Sequence, residues 1–144
     1  MGANSLLFVY GTLKRGEENH RHLSAHRPRF LGEGRIQGRL FRIKGESFPG
    51  AAPTTSRRYV RGELYKLTSP GKSLKKLDKF EGTDEGLFVR KLAEVWIDGR
   101  RMKAWTYFYP GRKDKAALIS SGTFRVRPAT QAGDSIRKKA AKRS

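Results

Sequence analysis

The chain has 144 residues, of which 36% are hydrophobic and 31% charged, with a formal net charge of +19 and no cysteine. That length suits one domain with one proper core, and the composition is that of a polar-surfaced globule. Lack of cysteine excludes disulfide scaffolds, thiolate zinc sites and cysteine nucleophiles, and no stretch approaches the ~20 apolar residues of a membrane span.

The apolar run near the N-terminus is short and has no basic stretch before it, so no signal peptide is expected. Leu6 stands where a myristoylation motif needs Ser or Thr. A cytoplasmic location is therefore the expectation. So strong a positive field attracts nucleic acid, anionic membrane or acidic ligands. The C-terminal tail holds Arg137, Lys138, Lys139, Lys142 and Arg143 against Asp134, so most of the charge is spread over the folded part.

Leu6-Leu7-Phe8-Val9-Tyr10 reads as a buried strand, and Gly11 opens a tight turn after it. Successive N–H groups at Gly11, Thr12 and Leu13 suit either an ordinary loop or an anion-binding concavity. Residues 17–26 are polar and predict a short helix, on which His22 and His26 share a face. Zinc needs a third ligand and second-shell support, so these read as solvated surface histidines. From Phe30 to Ile43 an alternating pattern carries Gly32, Gly34 and Gly38, as curved sheets and barrels do.

Residues 45–58 read as loop, and Val60–Leu67 as the next strand. Ser69-Pro70 opens a turn, and Ser73 is the expected cap of a short helix with Leu74 and Leu77 inward. Two alternating runs, Phe88–Ile97 and Arg100–Tyr109, flank Asp98-Gly99, a strong type I′ hairpin signal. Residues 110–114 are loop, and a last apolar patch gathers Leu118, Ile119, Phe124 and Val126. The expected layout is a single domain over residues 1–127 and a basic tail, 128–144, without fixed structure. Strands outnumber helices and do not alternate with them. The fold class is thus α+β, a small, largely antiparallel curved sheet or barrel with two short helices.

Phosphate loops fail: Gly11 and Gly16 have the spacing, but Glu17 and Glu18 stand where Lys and Ser/Thr are needed. No Gly-x-Ser-x-Gly elbow is present. Acids are scarce, yet Asp78, Glu81, Asp84 and Glu85 crowd together. Glu81, between Phe80 and Gly82, fits a partly shielded carboxylate with a raised pKa, useful in general acid/base work. It equally fits a solvated acidic turn balancing Lys75, Lys76 and Lys79. Asp78, one turn earlier, is expected to serve the turn or the helix end.

Phe8-Val9-Tyr10-Gly11-Thr12-Leu13-Lys14-Arg15-Gly16, with Asn19-His20 behind it, resembles the opening signature of the gamma-glutamylcyclotransferase-like family, especially its gamma-glutamylamine cyclotransferase and AIG2-like branch. Leu77-Asp78-x-Phe80-Glu81-Gly82 with Phe88-x-Arg90 resembles its second signature. Phe48-Pro49-Gly50, Val60-x-Gly62-Glu63-Leu64-Tyr65 and Tyr107-x-Tyr109 fall in family order between and after them. The resemblance implies release of 5-oxoproline from a γ-glutamyl amine, with Glu81 as acid/base. It also implies a substrate pocket from Tyr10, Gly11, Thr12, Leu13, Pro49, Phe88, Arg90 and Tyr107, and needs no metal or organic cofactor. Phe88 departs from the family tyrosine; either Tyr107 or Tyr109 compensates for its hydroxyl or turnover is weak, and Arg90 either meets substrate or pairs with an acid. A monomer is expected.

The alternative is a basic nucleic-acid-binding domain on the same fold without catalysis; contact with nucleic acid through a generically basic surface would be non-specific. Its support is the charge and the aromatics interleaved with Arg and Lys over Arg100–Tyr109.

Overall fold

A computed structural model of the chain describes residues 5–125. The expected basic tail and Val126 lie outside the described residues. In chain order the elements are β1 (Leu6–Val9), α1 (His20–Ser24), β2 (Arg29–Gln37), β3 (Arg39–Arg42), β4 (Pro49–Ala52), β5 (Tyr59–Lys66), α2 (Pro70–Glu81), β6 (Val89–Ile97) and β7 (Arg100–Phe108).

Five strands close a barrel in the order β1-β5-β2-β6-β7. The described pairings are antiparallel except one, where β1 meets β7 in parallel at Leu7 and Trp105. That seam also carries a hydrogen bond from the buried Thr106 hydroxyl to the Phe8 carbonyl, at 3.0 Å. The α+β class with a curved sheet and two short helices is the observed architecture.

β1 has no solvent face. Leu6, Phe8 and Tyr10 join a core to which all five barrel strands contribute, including Ile36, Leu64, Val95 and Phe108. Leu7 and Val9 face the other way, into a second core with Leu74 and Leu77 of α2, Phe88 and Tyr107. The alternation of side chains along a strand divides one apolar run between two cores. Asp98 and Gly99 both take positive φ, 49° and 75°, and join β6 to β7 in register from Ile97–Arg100 to Val89–Phe108. This is the hairpin the dipeptide predicts.

Three local expectations need correction. β4 lies within the segment read as loop. It pairs antiparallel with β3 from Arg42–Pro49 to Arg39–Ala52, beginning on a proline, where a missing N–H costs least. Ser73 does not cap α2: Pro70 stands in the first turn, Ser69 is the flanking residue, and Ser73 is buried within the helix. The early helix shrinks to five residues, with Leu23 its one buried side chain. His22 therefore shares no helical face with His26, and neither is a freely solvated surface histidine. His22 stacks on Phe80 at 4.1 Å, and His26 Nδ1 lies 3.0 Å from the Ser73 hydroxyl.

Double burial of β1 sets a test. Leu7→Ala is expected to cost about 2–5 kcal/mol in denaturant unfolding, because a fully buried leucine leaves a cavity. Leu92→Ala, on a residue 44% exposed, should stay within about 0.5 kcal/mol.

Candidate active site

Where β1 runs out, its last two residues and the loop that follows line a narrow cavity. Phe8 to Leu13 form one wall, and Pro49, Glu81, Phe88 and Tyr107 complete it. Every predicted site residue except Arg90 meets there. The volume is about 30 Å³, space for little more than a water or so.

The loop is held by its carbonyls. Gly11 O accepts from Lys14 N at 3.2 Å and Thr12 O from Asn19 N at 3.0 Å, while Leu13 O lies 2.8 Å from His20 Nδ1. The Asn19 side chain, itself buried, also donates to the Thr12 hydroxyl at 3.1 Å. Asn19 and His20 are thus the clamp of the loop. Gly11 lets Pro49 approach, since a Cβ there would sit 3.1 Å from the proline ring.

Tyr10 fixes the opposite wall. Its hydroxyl donates to the Tyr107 carbonyl at 2.6 Å and accepts from the Ala51 N–H at 3.1 Å. Burial pushes this phenol far above its ordinary pKa; the Ala51 N–H opposes that, and the Glu81 charge adds to it. The Tyr107 hydroxyl donates to Asp78 Oδ1 at 2.7 Å. Burial raises its pKa most, followed by the bond to Asp78 and the charges of Asp78 and Glu81.

α2 delivers both carboxylates. Asp78 and Glu81 are three residues apart and so lie on neighbouring positions of one face. Glu81, the last residue of α2, is buried against the cavity, and Gly82 ends the helix with φ of 71°. Asp78 was expected to serve the turn or helix end; instead it anchors the cavity wall. It accepts the Tyr107 hydroxyl and a bidentate pair from Arg90, Nε at 2.7 Å and Nη2 at 3.0 Å. Arg90, read either against substrate or as the partner of an acid, is committed to that pair and lies over Trp105 at 4.3 Å. Nothing in the sequence pointed to Asp78 as the partner of Tyr107, although its spacing from Glu81 placed it beside the site.

Phe88 is buried in an aromatic cluster, 5.6 Å from both Phe48 and Tyr109. Tyr109 does not line the cavity, and the Tyr107 hydroxyl is spent on Asp78, so neither phenol stands in for the family tyrosine. The hairpin aromatics are also engaged: Tyr107 and Phe108 are buried, and Trp105 lies under Arg90. Among the described residues no group of three or more His, Asp and Glu is placed to hold a metal ion, and no helix is long and apolar enough to cross a membrane.

Residues 7–126 match the family described as Gamma-glutamyl cyclotransferase, AIG2-like. A Methanocaldococcus jannaschii protein with a provisional gamma-glutamylcyclotransferase name is 27% identical over 119 residues, covering 83% of this chain and 94% of that one. The gamma-L-glutamyl-butirosin B gamma-glutamyl cyclotransferase of Niallia circulans is 32% identical over 108 residues; the match covers 72% of this chain and 65% of the relative's length. The crystal structure of a mouse AIG2-like protein superposes with a TM-score of 0.72 at 24% identity, over 87% of this chain and 90% of that one. That likeness establishes the fold.

Two outcomes are expected. Tyr10→Phe should cost about 1–3 kcal/mol in denaturant unfolding, because it strands a buried N–H and a buried carbonyl. Alkaline pH should destabilise the fold. Tyr10, Tyr65 and Tyr107 are all harder to ionise folded than unfolded. The unfolded chain therefore releases its phenolic protons first, and unfolding free energy should fall as pH rises above about 10, the ordinary tyrosine value. Unfolding midpoints across that range, read against the Tyr107→Phe variant, check the slope.

Proposed function

The chain belongs to the gamma-glutamyl cyclotransferase, AIG2-like family, and from that premise we propose that it releases 5-oxoproline from a γ-glutamyl amine or a related γ-glutamyl compound, with Glu81 as general acid/base. One observation carries the reading. Among the described residues Glu81 is the one carboxylate lining the cavity, and the two phenols beside it are held too far above neutral pH to shuttle a proton.

The reaction is intramolecular. The α-amine of the γ-glutamyl group attacks its own γ-carbonyl, forming the ring C–N bond. Glu81 takes the proton that the attacking nitrogen loses. The tetrahedral intermediate then collapses, the exocyclic C–N bond breaks, and Glu81 returns the proton to the departing amine. Atoms and charges balance without a co-reactant. Alignment of amine and carbonyl is worth effective molarities on the order of 10⁵ M or more. The acid/base adds about 10²–10⁴-fold.

The N–H groups of Gly11, Thr12 and Leu13 are the proposed donors to the substrate's carbonyl oxygen or carboxylate. Capture of the Gly11 carbonyl by Lys14 and of the Thr12 carbonyl by Asn19 supports that assignment for Thr12 and Leu13, because it fixes the peptide planes that carry their N–H groups. Pro49, Phe88 and Tyr107 supply the apolar wall against which the glutamyl carbons lie. A γ-glutamyl group is larger than the cavity, so entry widens the cleft. The relative from Niallia circulans acts, by its name, on a γ-glutamyl group attached to butirosin B. A bulky leaving amine is therefore compatible with this family's site.

Glu81→Gln keeps the size and one acceptor oxygen but cannot carry a proton. With a substrate found by screening γ-glutamyl amines, dipeptides and isopeptides for 5-oxoproline release, its kcat should fall about 10²–10⁴-fold. The exposed Glu85→Gln should turn over normally, and Asp78→Asn should lose less than Glu81→Gln, since it acts only through Tyr107. Full turnover by Glu81→Gln sinks the mechanism.

A further inference from the structure

Away from the cavity, a groove of about 560 Å³ runs between α1 and α2. Arg21, His22, His26, Lys72 and Lys76 line it together with Ser73, and among the described residues no carboxylate does. The larger basin on the barrel flank is different, because there Lys14, Arg15, Arg35, Arg61 and Arg125 face Glu17, Glu33, Glu63 and Asp98. Among the described residues a smaller cleft holds Arg39, Arg57, Arg58 and Arg61 without an acid but has no imidazole, whereas the α1–α2 groove adds two.

We propose that the α1–α2 groove is a binding site for a phosphoryl group, carried by a nucleotide or by free polyphosphate. It is independent of the cyclotransferase reading and shares none of the residues that line the cavity.

The donors are of the right kind and are partly preset. Two lysines and an arginine give charge-assisted hydrogen bonds to phosphoryl oxygens. Ser73 is 2% exposed, yet its hydroxyl is turned to His26 Nδ1, at 3.0 Å. When His26 is protonated, Nδ1–H donates to that hydroxyl, and Nε2–H becomes a donor for an anion. The His22 ring is fixed by its stack on Phe80, 27° from parallel. Burial and neighbouring charge hold both imidazoles below their ordinary pKa, Arg21 acting on His22, and Lys76 and Lys72 on His26. A bound dianion removes that repulsion, so binding and imidazole protonation reinforce one another. Affinity should therefore rise as pH falls through the histidine range.

Only three histidines occur in the chain, which makes the test direct. Imidazole NMR signals of the full chain are followed at about pH 6.5, near the ordinary histidine pKa. Pyrophosphate or ADP is added against chloride at constant ionic strength. His22 and His26 should shift saturably and their pKa values rise. His20, whose Nδ1 faces the Leu13 carbonyl, should stay still. Lys72→Gln with Lys76→Gln should weaken binding at least about tenfold, two charge-assisted bonds being lost. Lys91→Gln with Lys103→Gln removes the same charge from exposed hairpin positions and should change affinity less than about twofold. Thermal melts confirm that both double variants are folded. Tighter ADP than pyrophosphate identifies a nucleotide as the carrier, and the reverse identifies free polyphosphate. Equal losses from the two pairs, or His22 and His26 signals that no addition moves, overturn the proposal.

Discussion

The hydroxyl of Tyr10 is the point on which the site depends. One phenol oxygen joins the end of β1 to the Tyr107 carbonyl in β7 and to the Ala51 N–H in β4. Those strands belong to different sheets, so the bond pair is a buried side-chain tie between the barrel and the β3–β4 ribbon, beside the backbone bond from Tyr109 N to Ala51 O at 2.9 Å. The oxygen is buried, so water offers no substitute and both bonds are obligatory. By placing β4, Tyr10 places Pro49, and Pro49 sits within van der Waals reach of Gly11 only because that residue has no side chain.

Two carboxylates on one helix divide the remaining work. Asp78 is half-buried and saturated with donors: a guanidinium fork and a phenol. Such a carboxylate has its lone pairs occupied and makes a poor proton shuttle but a firm anchor. Glu81, one turn on, faces the narrow space between the loop and Tyr107. Identical chemistry thus takes two roles through placement alone. Arg90 fits this scheme as the bidentate partner that fixes the Asp78 carboxylate beside an apolar wall.

What the sequence shows plainly is what local chemistry decides. Asp98-Gly99 announces its hairpin because positive φ at two consecutive residues is a property of those residues themselves. β1 is legible as a buried strand because its apolar run is unbroken. The residues around the cavity are legible through ordered motifs, although those motifs lie far apart along the chain. β4 is not legible: Pro-Gly-Ala-Ala has no strand pattern, and it is extended because β3 and the Tyr10 hydroxyl hold it so. Asp78 is misjudged for a related reason, its two partners lying 12 and 29 positions away. Ser73 looks like a cap and is instead a buried hydroxyl paired across 47 positions with His26.

The seam between β1 and β7 bears on how the protein acquires its activity. Its side-chain bonds connect positions 97 and 98 apart, most of the described length. Contacts of that separation are made only after the intervening chain has been ordered, and topologies rich in them belong to the slower folders, in the range of about milliseconds to seconds. The wall that Tyr10 and Tyr107 share does not exist until the first and last barrel strands have met. Until those strands meet, Asp78 and Glu81 have no cavity wall to face, so the cavity forms with closure of the barrel rather than growing with α2.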